Sequence, residues 1–285
     1  MLRPAIVLAA VALCLLAPAR AAEPQTQPQS QPLPLFDAHL HYNWEPTPYY
    51  PLEKVLALFR EHGITGILAT SRPNDGTRAL VEARPEGIRV VPLIRPYIVH
   101  NDIQTWFDDP KIFQLVQAEF KRGYYQGIGE FHLSGKAAAT EWVKRTVNFA
   151  VEHGLFLHAH ADDEALEILF SHNPKARIIW AHTGFGTPPD KLADYLERYP
   201  ELTGELSYRF GISEGGKLTA AWRALFLKYP DRFLVGSDTW TDQRWERYGA
   251  IMDEYRAWLA ELPREVAEQI AFRNAERLFG PTNLF

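Results

Sequence analysis

From residue 34 onward the chain alternates short apolar runs with longer amphipathic ones, and it does so eight times. The short runs are "PLFDAH", "ITGILAT", "IRVVPLIR", "YQGIGEF", "LFLHAH", "RIIWAH", "LTGELS" and "RFLVGSD". Between them lie stretches with helical spacing, including "PLEKVLALFREHG", "DIQTWFDDPKIFQLVQAEFKRG" and "AAATEWVKRTVNFAVEHG". Two further helices are expected after the eighth run. Gly63, Gly123 and Gly154 stand where left-handed helix caps belong. The short runs are almost continuously apolar, as parallel strands must be when helices cover the sheet. Eight strand–helix units in about 250 residues match a single-domain α/β protein, a (β/α)8 barrel. A doubly wound sheet would place a Gly-rich turn after its first strand. Here the nearest match, "GFG" at Gly184–Gly186, follows the sixth run.

The barrel is expected to span 34–285, preceded by two segments of different character. Residues 1–21 carry Arg3, then "AIVLAAVALCLLA", then the small-residue pair Ala19 and Ala21, the order of a secretory signal peptide. The apolar run is too short to span a membrane comfortably. Cleavage would leave no stable membrane anchor and a periplasmic or secreted protein. It would also remove Cys14, the one cysteine, and take the net charge from −5 to −7. A cysteine-free chain suits an oxidising compartment and has no thiolate to use as ligand or nucleophile. Residues 22–33, "AEPQTQPQSQPL", read as a Pro/Gln-rich linker. The acidic balance argues against nucleic acid as a partner and leaves a small-molecule substrate. A homo-oligomer stays open.

The chemistry-bearing residues fall at the ends of the apolar runs. His39 and His41 end the first, Glu130 the fourth, His160 the fifth, His182 the sixth and Asp238 the eighth. In a (β/α)8 barrel these C-terminal strand ends form the floor of the active site. Residues two apart on a strand share a face, so His39 and His41 can both enter the barrel mouth. Imidazoles and carboxylates converging there make a site for zinc, iron or manganese. "LHAH" offers His158 as well as His160; His160 lies nearer the exit, and His158 is given a deeper place. His100 and His132 lie on loops and receive no role. Three guanidiniums, Arg72, Arg95 and Arg209, follow strands 2, 3 and 7 and suit a carboxylate or phosphate on the substrate. "YNWEPTPYY" and Trp240 offer an aromatic wall.

These residues together resemble the amidohydrolase superfamily, in its amidohydrolase-related branch of metal-dependent barrels. The matching motifs are Asp37-Ala38-His39-Leu40-His41, His160, "WAHTGFG" with His182, "LVGSDTW" with Asp238 and the closing "IAFRNAERLFG". The resemblance implies that His39, His41, His160 and Asp238 bind a divalent metal, zinc first, as one ion or two. His182 would polarise the substrate with one ion, or ligate the second of two. Many two-metal members carry a carboxylated Lys on strand 4; Glu130 in "GIGEFHL" departs from that and resembles the TatD-like hydrolases, where Glu binds metal. The implied activity is hydrolysis of an amide, ester or lactone, with Asp238 and His182 catalytic. A non-oxidative decarboxylase or related lyase is the alternative, and a silent binding protein a third reading.

Overall fold

The computed structural model describes residues 32–43 and 50–280. The expected signal peptide, nearly all of the linker and residues 44–49 of the first aromatic loop lie outside them. Eight parallel strands follow one another round a barrel: β1 (Leu35–His41), β2 (Ile64–Thr70), β3 (Arg89–Ile94), β4 (Gly127–Leu133), β5 (Phe156–Ala161), β6 (Arg177–Trp180), β7 (Leu202–Glu205) and β8 (Phe233–Leu234). The helices α1 (Leu52–Glu61), α2 (Asp75–Ala83), α3 (Pro110–Phe120), α4 (Glu141–Glu152), α5 (Asp163–His172), α6 (Pro189–Arg198) and α7 (Ala220–Lys228) alternate with them. This is the expected (β/α)8 barrel.

Two faces of each strand supply two cores. Leu35, Ile67, Ile128, Leu157 and Ile178 pack outward with the helices. Phe36, Leu68, Val91, Leu93, Phe156, Ile179 and Leu234 fill the interior. The closing helix α11 (Asn274–Phe279) joins that inner cluster through Phe279, whose ring lies 5.7 Å from Phe36 and 4.8 Å from Phe156. Aromatic carbon therefore seals the interior beneath the polar mouth.

Strand β8 has only two ladder residues, so side chains help close the seam to β1. The Ala38 N–H donates to Val235 O at 2.8 Å and the Asp238 N–H to His39 O at 2.6 Å. The Asp37 carboxylate accepts from the Ser237 N–H at 2.8 Å and from the Tyr248 hydroxyl at 3.0 Å. Thr239 Oγ1 accepts from the His41 N–H at 3.0 Å and donates to His41 O at 2.9 Å.

Some expected elements differ. The stretch after β3 is not one helix: it forms two 3-10 turns, His100–Gln104 and Trp106–Asp108, before α3. Pro110 takes the first turn of α3, and the Asp109 side chain accepts from the Lys111 N–H at 2.8 Å. A missing N–H is harmless there and costly within a helix. Past β8 the chain forms α8 (Asp242–Glu246), α9 (Tyr248–Leu259), α10 (Arg264–Glu268), a π turn Gln269–Arg273 and α11, more than the two helices expected. A short hairpin pairs Ser213–Glu214 with Lys217–Leu218 in the loop after β7. Among the described residues no helix is long and apolar enough to cross a membrane.

Candidate active site

Strand pairing explains how the polar side chains reach the mouth. Between β1 and β2, Asp37 faces Ile67 and Leu40 faces Ala69, so β1 carries one extra residue there. Phe36 belongs to the inner core, yet His39 and His41, of opposite parity, also turn inward past this bulge. Between β4 and β5, Gly129 faces His158 and Phe131 faces Ala159. The extra residue is Glu130. A bulge re-aims a side chain, and bulges gather beside active sites. Gly129 makes this one feasible: its φ is +138°, and a Cβ there would lie 2.3 Å from the His158 carbonyl oxygen. His182 and Asp238 sit at φ 55° and 49°, left-handed positions that non-glycine residues adopt at a cost of about 1–3 kcal/mol.

The strand ends converge on a cavity of about 680 Å³, lined by Arg72, Arg95, Glu130, His160, His182, Tyr208, Asp238 and Trp240 among others. His39 Nε2 lies 3.6 Å from Glu130 Oε1 and 3.4 Å from Asp238 Oδ1. His182 Nε2 lies 3.5 Å from Glu130 Oε1 and 3.9 Å from Asp238 Oδ2. Tetrahedral bonds of about 2.0–2.2 Å give ligand-to-ligand edges of about 3.3–3.6 Å. His39, Glu130 and His182 form one group close enough to hold a divalent ion, His39, His41 and Asp238 a second, and Glu130, His132 and His160 a third.

The far sides of these rings support the same fit. His39 Nδ1 lies 2.8 Å from Glu205 Oε2, and His182 Nδ1 lies 2.8 Å from Ser207 O. Both partners only accept, so each ring donates from Nδ1 and turns its Nε2 toward the carboxylates. That is how ligating histidines are oriented.

His41 is placed differently. Its Nε2 lies 3.1 Å from Asp238 Oδ1 and 3.3 Å from Glu130 Oε2. Its Nδ1 lies 2.6 Å from Arg95 Nη1. A guanidinium can only donate, so Nδ1 accepts and the proton of a neutral ring sits on Nε2. His41 then meets Asp238 as a donor. Arg95 is buried, its Nη2 3.5 Å from Glu130 Oε2, and its backbone is fixed by Asn74, whose side chain accepts from the Arg95 N–H at 2.8 Å and donates to Arg95 O at 3.1 Å.

Electrostatics follow from burial and neighbouring charge. Burial opposes ionisation of Asp238, but His39 and a hydrogen bond from His41 outweigh it and hold the carboxyl well below the usual carboxylate range. Glu130 is lowered against its burial by His39, His132, His160 and His182. Burial works against a charged His39 too, and the carboxylates of Asp238, Glu205 and Glu130 overcome it. His132 is pushed down to about 3, chiefly by burial.

The two strand 5 histidines take different places. His160 lines the cavity, 29% exposed, with Nδ1 3.0 Å from Glu130 Oε1. His158 is buried beneath, its ring 4.4 Å from that of His39. Arg72 and Arg95 line the cavity, as does half-exposed Trp240, whose indole N–H donates to Tyr208 Oη at 3.3 Å. Arg209 does not join them. Its guanidinium donates to the Thr187 and Phe210 carbonyls and lies over Trp222 at 4.9 Å, so it braces the loop after β7.

Glu205, not among the candidates expected from the sequence, ends β7. It is fully buried and accepts from His39, from the His182 N–H at 3.2 Å and from Ser207 Oγ at 2.8 Å. Tyr97 was not among them either; its hydroxyl lies 3.0 Å from His132 Nδ1 and accepts from the His132 N–H at 2.7 Å.

Comparison with known proteins agrees with this architecture. Among solved structures, a Pseudomonas putida protein proposed to be a 2-pyrone-4,6-dicarboxylic acid hydrolase superposes with a TM-score of 0.59 at 17% identity, over 89% of this chain and 99% of its own. An amidohydrolase from Burkholderia multivorans with bound zinc gives 0.54 at 14% identity, over 87% and 99%. Amidohydrolase 2 from Bifidobacterium longum subsp. infantis gives 0.53 at 14% identity over the same shares. At these identities the likeness shows the fold alone. No curated protein sequence matches. The family model described as "Amidohydrolase" matches residues 36–280, nearly the whole barrel. The chain belongs to the amidohydrolase family of enzymes.

Proposed function

We propose that this protein is a metal-dependent hydrolase that cleaves an amide, ester or lactone in a small anionic substrate. One observation carries the reading: His39, Glu130 and His182 lie close enough to hold an ion, as do His39, His41 and Asp238, beside a cavity that also holds guanidinium groups. His39, His182, Glu130 and Asp238 would hold the ion. His39, His41 and Asp238 also lie close enough together to hold an ion; in this reading the Arg95 contact makes His41 the group that orients Asp238. Zinc suits this nitrogen and oxygen set, and the Burkholderia multivorans neighbour contains zinc. The Pseudomonas putida neighbour's name describes a lactone bearing carboxylates, a compound of the proposed kind.

A divalent ion at this point supplies Lewis acidity to water and to the carbonyl under attack. Asp238 takes the proton from the attacking water and delivers it to the leaving group. Its low pKa makes it a weak base, so its advantage is position and it accepts protons only from an acidified donor. The His41 Nε2–H holds Asp238 Oδ1 during that exchange. Arg72, on the cavity wall, pairs with the substrate's anionic group, while Arg95 behind it fixes His41 and Glu130.

Asp238→Asn tests the reading, because Asn keeps the shape and loses the basicity. Turnover of the best ester, lactone or amide should fall by roughly 10²–10⁴-fold, the usual worth of general acid–base catalysis. Metal analysis should show most of the ion retained by the other three donors, and added metal should not restore the rate. A near-normal rate would remove Asp238 from the mechanism. Release of CO₂ from carboxylated aromatics, with no hydrolysis of the panel, would replace hydrolase with decarboxylase.

A further inference from the structure

We propose that His132 touches the substrate's carbonyl oxygen as a fixed hydrogen-bond donor, with its ring proton placed on Nε2 by Tyr97. The carbonyl rests on the hydrolase reading; the position of the proton does not. Tyr97, after β3, is fully buried, and among the described residues its hydroxyl meets His132 alone. The His132 backbone N–H donates to that oxygen at 2.7 Å. The hydroxyl also has a proton of its own to place, since a phenol ionises only at a pH of about 10, and a buried O–H without an acceptor is costly. The acceptor within reach is His132 Nδ1, at 3.0 Å. A ring that accepts on Nδ1 carries its proton on Nε2.

The mount is rigid as well as directed. His132 O accepts from the Trp106 indole N–H at 2.8 Å, so side chains from the segment between β3 and α3 hold both backbone groups of His132. Its ring lies 4.1 Å from that of His160. His132 lines the cavity, and its Nε2 has no partner among the described residues and is not shut off from solvent. A ring nitrogen of His132 lies within 4.8 Å of a Glu130 carboxylate oxygen and of a His160 nitrogen. Its reach therefore overlaps that of the metal-capable donors, where the bond under attack must lie. Glu130 and Asp238 offer that bond only acceptors, whereas a carbonyl oxygen needs a donor. A donor fixed before the reaction stabilises the charge that develops on such an oxygen without having to reorganise.

Ring nitrogen–proton NMR spectra of the histidine-labelled, zinc-loaded protein locate the proton without any turnover, the His132 signal being the one lost in His132→Gln. The spectrum should show a proton on Nε2 and none on Nδ1, and Tyr97→Phe should mix the two tautomers. A proton on Nδ1, or an Nε2 stripped of its proton by zinc held on Glu130, His132 and His160, overturns the proposal. Acetohydroxamate, which brings a carbonyl oxygen to zinc, should move the Nε2–H signal; an unmoved signal also overturns it. Kinetics then test the contact. On the best ester, lactone or amide, His132→Leu should lower kcat by roughly 10²–10³-fold, the usual worth of one such donor, with KM little changed. His132→Gln, which keeps an N–H, should recover part of that loss. An unchanged kcat in the folded Leu variant, or a loss confined to KM, rejects the carbonyl contact. If circular dichroism shows His132→Leu misfolded, His132→Phe, which keeps a flat ring without the donor, replaces it. A signal moved by acetohydroxamate, with no turnover of any ester, lactone or amide, would sink the hydrolase reading and leave the donor assignment standing.

Discussion

Arg95 decides what its neighbours can do. A ring between a guanidinium and a carboxylate must accept on one side and donate on the other, so His41 cannot offer Nε2 to a cation unless Arg95 moves. His39, two residues earlier, is turned the opposite way by Glu205. The motif spacing showed two histidines on one face and could not show this difference, because it comes from β3 and β7. The two rings should therefore behave differently. His39→Gln should lose metal outright, whereas His41→Gln should keep it and lose rate; inductively coupled plasma analysis of both variants separates them. Equal metal loss would mean that Arg95 swings away and His41 ligates. Glu205 acts on the metal site through His39. Partners outside the ligand shell are typically worth about 10–100-fold in metal affinity, so Glu205→Gln should weaken binding by that factor in a chelator competition. Unchanged affinity would reduce Glu205 to a structural acceptor.

At the scale of elements, two bulges carry the site, and neither was legible. That His39 and Glu130 belong to strands could be read from the sequence, but Glu130, expected at the end of its run, stands in the middle of β4. Their inward aim could not be read, because alternation along a strand says nothing about an inserted residue. Gly129 is the local condition for the second bulge. A methyl group there meets backbone, which has nowhere to go, at a φ that an L-residue resists. Gly129→Ala should cost about 3 kcal/mol or more and disturb Glu130, read as a lower denaturation midpoint together with weaker metal binding. A variant as stable as the parent would show that the bulge is incidental. The run after β3 failed as a single helix for an equally local reason. Pro110 starts a helix well and continues one badly, and the turns before it bring Ile103 to the cavity wall.

Across the whole molecule, the order of strands was legible because each is a self-contained apolar run and each crossover a self-contained helix. Closure was not. A two-residue β8 looks too short to complete a barrel, and the bonds from Asp37, Ser237, Thr239 and Tyr248 that complete it come from far along the chain. The same non-local geometry draws Arg209 away from the mouth and leaves Arg72 and Arg95 there. Stability and chemistry occupy opposite ends of this fold: the Phe279 plug seals the base, and the donors sit at the mouth. Removing the metal should therefore silence the enzyme without unfolding it. The decisive measurement is chelation of the purified protein, followed by stepwise return of zinc, with circular dichroism and turnover of a cleaved ester, lactone or amide recorded at each step. The expected result is an unchanged dichroism spectrum, turnover lost in the stripped protein, and full recovery at one equivalent of metal. Undiminished turnover in the stripped protein would contradict it.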